Sequence, residues 1–478
     1  MDKTLVELDG TTGEGGGQLV RNAVALASVI SQPIRIVNVR GNRQYGKSRK
    51  GGGLKAQHVA AIQVLADATA ADVSGLHVGS PTLEFRPRRG PGADAIAALL
   101  AATPTTTPTG DRRLIRIAAS TAAASAMCIF QCVFPFLLFA GSGSGSGPQQ
   151  QQQPLELEID GGTNTSWAPS FDYADQVLCP ALEAWFGVAV ERRLVSRGWN
   201  TGPASRGRVW FRFRPLRPGT ALGGSSPVPV AQEEGGPPQS SLSPGTLRAA
   251  EDTTAVKTID VTMVCPAAMG DKLTRALAKD LAGLFPAADV RFRPSEDSGH
   301  RSRMFVLLVA RPAAPSPLLW GRDLLFSPPP RNAPVGRARG GGGGGDGDEW
   351  ALSTSELLSR RVCRALRADV GRGAVVDEFL QDQLVIFQAL REGRSSFPRR
   401  GGAEAEAEAE GLEDAMAGLD IGGGGGGGEL ERDRTGVPFG EGSLHATTAR
   451  WVAAQLLPRA SWFGGGRVCE GAGVRVQR

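Results

Sequence analysis

The sequence predicts an α/β fold of the α+β kind, with three β-α-β-α-β-β repeats forming a large domain and a small α/β domain inserted among them. Three observations carry this. Short strand-like runs alternate with segments of helical period, the same element order returns further along the chain, and each copy places an Asp-Gly turn with threonine near a strand end.

In the first unit, Thr4 to Leu8 reads as a strand and Gln18 to Ile30 as a helix with Leu19, Ala23, Val24, Ala27 and Ile30 on one face. Ile34 to Val39 is a second strand, Leu54 to Ala68 a helix, and two short strands are expected near Leu76 to Val78 and Thr82 to Phe85. The second unit runs through a strand at Leu114 to Ile117, an apolar helix at Ala122 to Phe139 and a strand at Leu155 to Ile159. It continues with a helix at Asp172 to Phe186 and strands at Val188 to Leu194 and Val209 to Phe213. A third unit is expected around helices at Ser353 to Leu366, Asp377 to Leu390 and after His445. Between the second and third, Ile259 to Val264, Lys272 to Leu284, Val290 to Phe292 and Met304 to Ala310 read as the inserted β-α-β-β domain.

The chain has 478 residues, of which 65 are glycine and 32 proline, and these are unevenly placed. Segments 141–154, 217–246, 328–347 and 392–436 are too rich in Gly, Pro, Ser, Gln or Ala-Glu repeats to bury a core, and disorder is expected there. The resulting division is 1–215 for the first two repeats, 216–258 a linker and 259–312 the inserted domain. The third repeat follows in 313–391 with 328–347 disordered, then an insert at 392–436 and a C-terminal part at 437–478.

No stretch of eighteen apolar residues and no basic, then apolar, leader stands in the sequence, so an intracellular protein without membrane contact is expected. Homopolymeric Gln and Gly tracts look eukaryotic, and the nucleus is expected over the cytoplasm although no clear basic import signal stands in the sequence. The six cysteines contain no CxxC pair, which argues against a disulfide framework or a zinc ribbon. Net charge is only +5, but Arg40, Arg43, Lys47, Arg49, Lys50 and Lys55 crowd one glycine-containing stretch, either a phosphate-binding loop or a solvated surface.

Three features can carry chemistry. Gly13-Glu14-Gly15-Gly16-Gly17-Gln18 lies between a strand and a helix, where backbone amides and a helix N-terminus favour an anion. It lacks the Gly-Lys-Ser/Thr of a P-loop, and close strand–helix packing is the alternative. Glu14 is a natural ligand for Mg²⁺ or Mn²⁺ beside phosphates, and Arg21 either joins them or faces solvent. The run from Val376 to Leu384 sets Asp382 and Gln383 in an otherwise apolar helix, for a ligand's sugar or base or for water. His445, one of four histidines, opens a helix within Gly442-Ser443-Leu444-His445-Ala446-Thr447-Thr448 and is either a nucleophile toward phosphorus or structural.

Together these segments resemble the RNA 3′-terminal phosphate cyclase family. The matching pieces are Glu7-Leu8-Asp9-Gly10, the glycine-rich run with Arg21, Arg40-Gly41-Asn42-Arg43, Gln57-His58, Gly161-Gly162-Thr163-Asn164 with Ala168-Pro169, the Val376 to Leu384 run and Leu444-His445. They stand in the family's order. The resemblance implies ATP-dependent conversion of an RNA 3′-phosphate to a 2′,3′-cyclic phosphodiester through enzyme-histidine-AMP and RNA-adenylate intermediates. It implies His445 as the nucleophile, with Gln131, Pro169, Phe379, Leu380, Gln381, Asp382 and Gln383 around ATP. Glu14 is expected on the metal and the nucleotide, with Arg21 on phosphates and Arg40 and Arg43 on RNA phosphates.

Some positions depart from the family pattern. Phe379 replaces a tyrosine, Ala122-Ala123-Ala124-Ser125 replaces Thr-Ala-Gly-Ser, and the glycine triplet after Arg197-Gly198 is missing. The rival reading is a non-catalytic cyclase-like factor in ribosomal RNA assembly, against which His445 speaks. A related enolpyruvyl transferase lacks support from any matching Arg/Lys constellation. The partner expected is RNA with a 3′-phosphate end, and oligomeric state is not legible.

Overall fold

A computed structural model of the chain describes residues 3–45, 49–50, 52–102, 113–141, 153–223, 255–313, 316–326, 346–371, 374–397 and 431–476. The expectations of disorder fall largely outside these residues, as does Lys47. Among the described residues no helix is long and apolar enough to cross a membrane.

The architecture is mixed α/β. The first sheet contains β1 (Val6–Asp9), β2 (Ile34–Val37), β5 (Asp72–Ser74) and β6 (Leu83–Arg86), in the order β1-β2-β6-β5. β1 and β2 are parallel because α1 (Gly17–Ile30) connects them, and the remaining pairs are antiparallel. A two-residue hairpin, β3 (Gln44–Tyr45) with β4 (Arg49–Lys50), precedes α2 (Ala56–Thr69). α3 (Ala93–Ala101), which the sequence did not announce, follows β6.

The second sheet repeats the plan. β7 (Leu114–Ala118) and β8 (Leu155–Gly161) are parallel across α4 (Ala126–Phe139), and β9 (Val190–Ser196) and β10 (Gly207–Phe213) complete the order β7-β8-β10-β9. The helix before β9 has three parts: α5 (Phe171–Tyr173), a π-helical turn at Ala174–Leu178, and α6 (Cys179–Phe186). α4 starts at Ala126, four residues later than its apolar run, because Ser125 caps it by accepting from the Cys128 amide at 3.2 Å.

Two expectations change here. The strand looked for at Leu76 to Val78 lies instead at Asp72–Ser74, paired with Leu83–Arg86. Gly75, at φ +76°, turns the chain immediately afterwards. The helix at Ser353 to Leu366, read with the third unit, packs with the inserted elements instead. These are β11 (Thr258–Cys265), α7 (Gly270–Leu284), β12 (Asp289–Phe292), β13 (Glu296–Asp297) and β14 (Met304–Arg311), joined by β15 (Trp320–Phe326) in the order β12-β11-β14-β15. α8 (Asp346–Gly371) lies on α7, β14 and β15. Ser359 donates to Asp280 at 2.6 Å and Arg322 pairs with Asp369 at 2.8 Å, so polar contacts as well as the buried Leu358, Val362 and Leu366 fix it there.

The C-terminal elements are α9 (Glu378–Leu390), β16 (Arg394–Ser396), α10 (Leu444–Leu456), β17 (Ser461–Phe463) and β18 (Val468–Glu470), with the strands in an antiparallel order β16-β18-β17. α10 packs on both α1 and α9, and α1 also packs on α4. The apolar faces of these four helices form a continuous core, which brings the N-terminal and C-terminal parts of the chain together.

One buried carboxylate fixes α9 in place. Asp377 is its N-cap and accepts from the Phe379 amide at 3.0 Å, the Leu380 amide at 2.9 Å, the Gly321 amide of β15 at 2.9 Å and the Tyr173 hydroxyl at 2.6 Å. Asp377→Ala would leave those donors unpaired and is expected to cost about 3 kcal/mol or more, against about 1 kcal/mol for Tyr173→Phe. Denaturant titration of both variants checks the difference; equal, small losses would show that Asp377 does not anchor the helix.

Candidate active site

The glycine-rich turn between β1 and α1 meets the N-terminus of α10. Gly13 has φ +63° and lies against the Thr448 hydroxyl, with no room for a side chain. The Thr448 hydroxyl accepts from the Glu14 amide at 2.9 Å and donates to the Leu444 carbonyl at 2.6 Å. Thus one side chain holds Glu14 beside the first turn of α10.

His445 is the second residue of that helix, whose N-cap Ser443 accepts from the Ala446 amide at 3.0 Å. Its side chain is 42% exposed, and Nδ1 stands 3.3 Å from the Glu14 carboxylate Oε2. The other Glu14 oxygen pairs with Arg43. Partial burial, foremost, holds the imidazole below its ordinary pKa; Asp382 and Glu378 pull the other way, while Arg21 and Arg43 reinforce the shift. The ring is therefore neutral near pH 7, with a lone pair available.

Beside it lies a pocket between α1, α4, the α5–α6 segment and α9, with Phe130, Phe134, Leu178 and Ile386 among its apolar walls. Its polar members are Gln18, Asn22, Gln131, Asp382 and Gln383. The amide nitrogens of Asn22 and Gln131 are buried without a partner, so donors stand ready for acceptors of a ligand. Apolar walls with a few convergent polar groups suit a flat heterocycle with a polar edge. Asp382 accepts from Gln383 Nε2 at 2.6 Å, and burial pushes its carboxyl up to about 7.

Of the expected site residues, Gln131, Asp382 and Gln383 line this pocket, while Glu14, Arg43 and His445 converge next to it. Arg21, on α1, is close enough to act electrostatically on both His445 and Asp382. The rest are placed differently. Pro169, Phe379, Leu380 and Gln381 are absent from the pocket lining. Leu380 is a fully buried core residue that packs where a side chain of its apolarity belongs, and Gln381 is buried against Gly442. The Phe379 ring is already covered, by the Arg322 guanidinium at 4.7 Å and edge-on by Tyr173 at 6.2 Å. Arg40 is only 8% exposed and directs a guanidinium nitrogen to the Gly53 carbonyl at 3.4 Å.

Gln18 and Asn22 are pocket residues that the sequence reading did not single out. Their signal was there: two buried amides four apart on an apolar helix share one face. Among the described residues no group of three His, Cys, Asp or Glu could hold a metal. Glu14 alone supplies a carboxylate, which fits an ion whose other ligands are phosphate oxygens and water, the usual pattern for Mg²⁺.

Asp382 yields a pH prediction. Its folded pKa lies above the ordinary carboxyl value of 3.8, so the unfolded chain holds fewer protons between about pH 4 and 7 and stability falls as pH rises through that window. Asp382→Asn should remove the fall, stabilising the protein by on the order of 2–4 kcal/mol at pH 8 and by little near pH 4. Denaturant titrations across that range check it; a gain independent of pH would contradict the assignment.

Comparison with known proteins points to one family. A family model described as RNA 3′-terminal phosphate cyclase matches residues 12–421. A protein of that name from Drosophila melanogaster is 26% identical over 401 residues, covering 82% of this chain and 85% of its own length. Proteins of the same name from Methanosarcina barkeri and Ignicoccus hospitalis are 35% and 34% identical over 213 and 212 residues. Those matches cover 45% and 44% of this chain and 52% and 48% of the archaeal proteins, so the chain spans about half their length. α10 lies beyond the family match, and the placing of His445 rests on the contacts described above. With a match over most of its length, the chain belongs to the RNA 3′-terminal phosphate cyclase family.

Proposed function

We propose that the chain is an ATP-dependent RNA 3′-terminal phosphate cyclase acting through an AMP carried on His445. The observation that carries this is the neutral imidazole at the N-terminus of α10, beside both a carboxylate and a pocket that joins apolar walls to unpartnered amide donors. The name shared by the relatives supports the reaction class.

The chemistry follows from these groups. With Nδ1 3.3 Å from the Glu14 carboxylate, a proton held on that side would leave Nε2 to offer its lone pair to the α-phosphorus of ATP. A nitrogen–phosphorus bond forms and pyrophosphate leaves. The positive charge that develops on the imidazole is stabilised by Glu14 and Asp382. Arg21 and Arg43 oppose a permanent charge on the histidine in the resting state and would hold phosphate oxygens. An oxygen of the RNA 3′-phosphate then takes the AMP and frees His445. Attack by the neighbouring 2′-hydroxyl closes the ring and expels AMP, a better leaving group than the phosphate monoester oxygen it replaced.

Glu14 is the residue that would hold Mg²⁺ or Mn²⁺, and the ion would neutralise phosphate charge there. Arg43 currently partners the carboxylate and would turn to phosphate once a cation took its place. In the pocket, Asn22 and Gln131 donate to ring nitrogens or ribose oxygens, and Asp382 near its midpoint at pH 7 accepts from or donates to the sugar.

Incubation with α-labelled ATP and a divalent cation should leave acid-labile, base-stable label on the wild type and none on His445→Ala. Absence of label from both would favour a non-catalytic RNA-assembly factor. Glu14→Ala should slow labelling at least tenfold, with partial recovery at high divalent cation. Unchanged labelling of that variant would remove Glu14 from the site.

A further inference from the structure

The glycine triplet that the family pattern places after Arg197-Gly198 is missing, and the turn between β9 and β10 is closed instead by two backbone hydrogen bonds between Trp199 and Ser205, at 2.9 and 3.0 Å. Arg303, from the inserted domain, fastens that turn by donating to the Pro203 carbonyl at 2.7 Å. The turn lies against the loop that follows β8. The Asn200 backbone N–H donates to the Asn164 carbonyl at 3.4 Å, and Asn200 Nδ2 donates to Ser166 Oγ at 2.9 Å. The next residue, Trp167, presents an indole to solvent and is 53% exposed.

A single exposed side chain calls for no explanation, but the surroundings of this one do. Four polar atoms of the two adjoining segments are buried without a partner: Asn164 Nδ2, Thr165 Oγ1, Asn200 Oδ1 and Thr201 Oγ1. They comprise a donor, an acceptor and two hydroxyls that serve as either, all uncharged. Such a set complements the edge of a nucleobase or a ribose hydroxyl, whereas phosphate calls for cations. Cations stand beside it. Arg206 and Arg303 donate to the Ala119 and Pro203 carbonyls, and neither pairs with a carboxylate among the described residues. A short chain of contacts joins this loop to the His445 side of the molecule. Ser170 caps α5 by accepting from the Tyr173 amide at 3.0 Å, the Tyr173 hydroxyl donates to Asp377 at the start of α9, and the neighbouring Glu378 acts electrostatically on His445.

We propose that Trp167 is a specificity-determining residue for the RNA strand, stacking on the base of a nucleotide near the 3′-phosphate end. The four unpartnered atoms meet that nucleotide's base edge or ribose as the two segments part to admit it, and Arg206 and Arg303 meet the flanking phosphates. An indole selects an unpaired base, because a base within a duplex gives its faces to its neighbours. Stacking is tolerant of base identity, so the preference is for a single-stranded 3′ end of any sequence over one held in a helix. RNA as the occupant rests on the function proposed above; the two free arginines and the uncharged base-edge groups at one place favour it over a protein partner.

The test uses the full chain and fluorescent oligoribonucleotides ending in 3′-phosphate, with affinity read by anisotropy. One strand is intact, others carry an abasic ribose at the terminal, penultimate or third position, and another has its 3′ end paired to a complement. Trp167→Ala should bind the intact strand roughly tenfold or more weakly, and Trp167→Phe should recover most of that loss. For the wild type, one abasic position and the paired end should each weaken binding by a similar factor. That abasic strand should bind W167A no more weakly than the intact strand does, since the two changes remove one contact. Equal affinity of W167A and wild type, the result expected of an indole that docks a protein, would overturn the proposal. So would full additivity of W167A with every abasic strand, a paired end bound as tightly as a free one, no binding of any strand, or a larger effect of W167A on labelling of His445 by ATP than on RNA affinity. If W167A fails to fold, the abasic strands decide on the wild type, where indifference at all positions overturns it. Label on His445 with RNA affinity indifferent to Trp167 would sink this inference alone, whereas Trp167-dependent binding of the RNA with no such label would sink the cyclase reading alone.

Discussion

The hydroxyl of Thr448 joins residues 434 apart in sequence, accepting from the Glu14 amide while it donates within α10. The candidate site is arranged around that contact. It holds a carboxylate from the first turn of the chain beside the first turn of the last helix, and so places Glu14 within 3.3 Å of His445. Neither group could do its work alone. Without the Thr448 contact, the two side chains would not face each other across the junction of α1 and α10. The packing of α1 on α4 and α10 supplies the rigidity that a single hydrogen bond lacks.

α9 shows how one helix serves both stability and chemistry. Asp377 and Asp382 are both buried, yet they differ in what surrounds them. Asp377 accepts four hydrogen bonds from three different parts of the chain and is spent on structure. Asp382 has one side-chain donor, Gln383, and its carboxyl is pushed up to about 7 by burial. A charge so poorly supplied with partners destabilises the fold, and it stands in the pocket beside His445, where a ligand could supply what is missing. The same logic applies to the unpartnered amides of Asn22 and Gln131.

Much of this was legible in the sequence, for identifiable reasons. The helical period of Gln18 to Ile30 and the alternation in Leu155 to Ile159 survive because both segments pack on one face or one sheet. Glu14, Asp382 and His445 were visible because charged or titratable groups in glycine-rich or apolar contexts demand a reason. What escaped depends on long-range contact. The helix around Ser353 to Leu366 is amphipathic wherever it packs, and only Ser359 against Asp280 and Asp369 against Arg322 decide its neighbours. Phe379 is expected around ATP from the resemblance, and only the fold shows that Arg322 from β15 lies over its ring. Asn22 gave only the weak signal of an amide four residues from Gln18, because an unpartnered donor is a property of the folded surroundings, not of the residue.

The central claim is that a neutral His445, set beside Glu14, attacks phosphorus. Its most direct test is peptide mapping of the full chain after incubation with ATP and Mg²⁺, locating any AMP by mass. The account predicts AMP on the peptide containing His445, bonded through nitrogen, and released when RNA ending in 3′-phosphate is added. AMP on a lysine or on another histidine, or none in a protein that binds ATP, would contradict it.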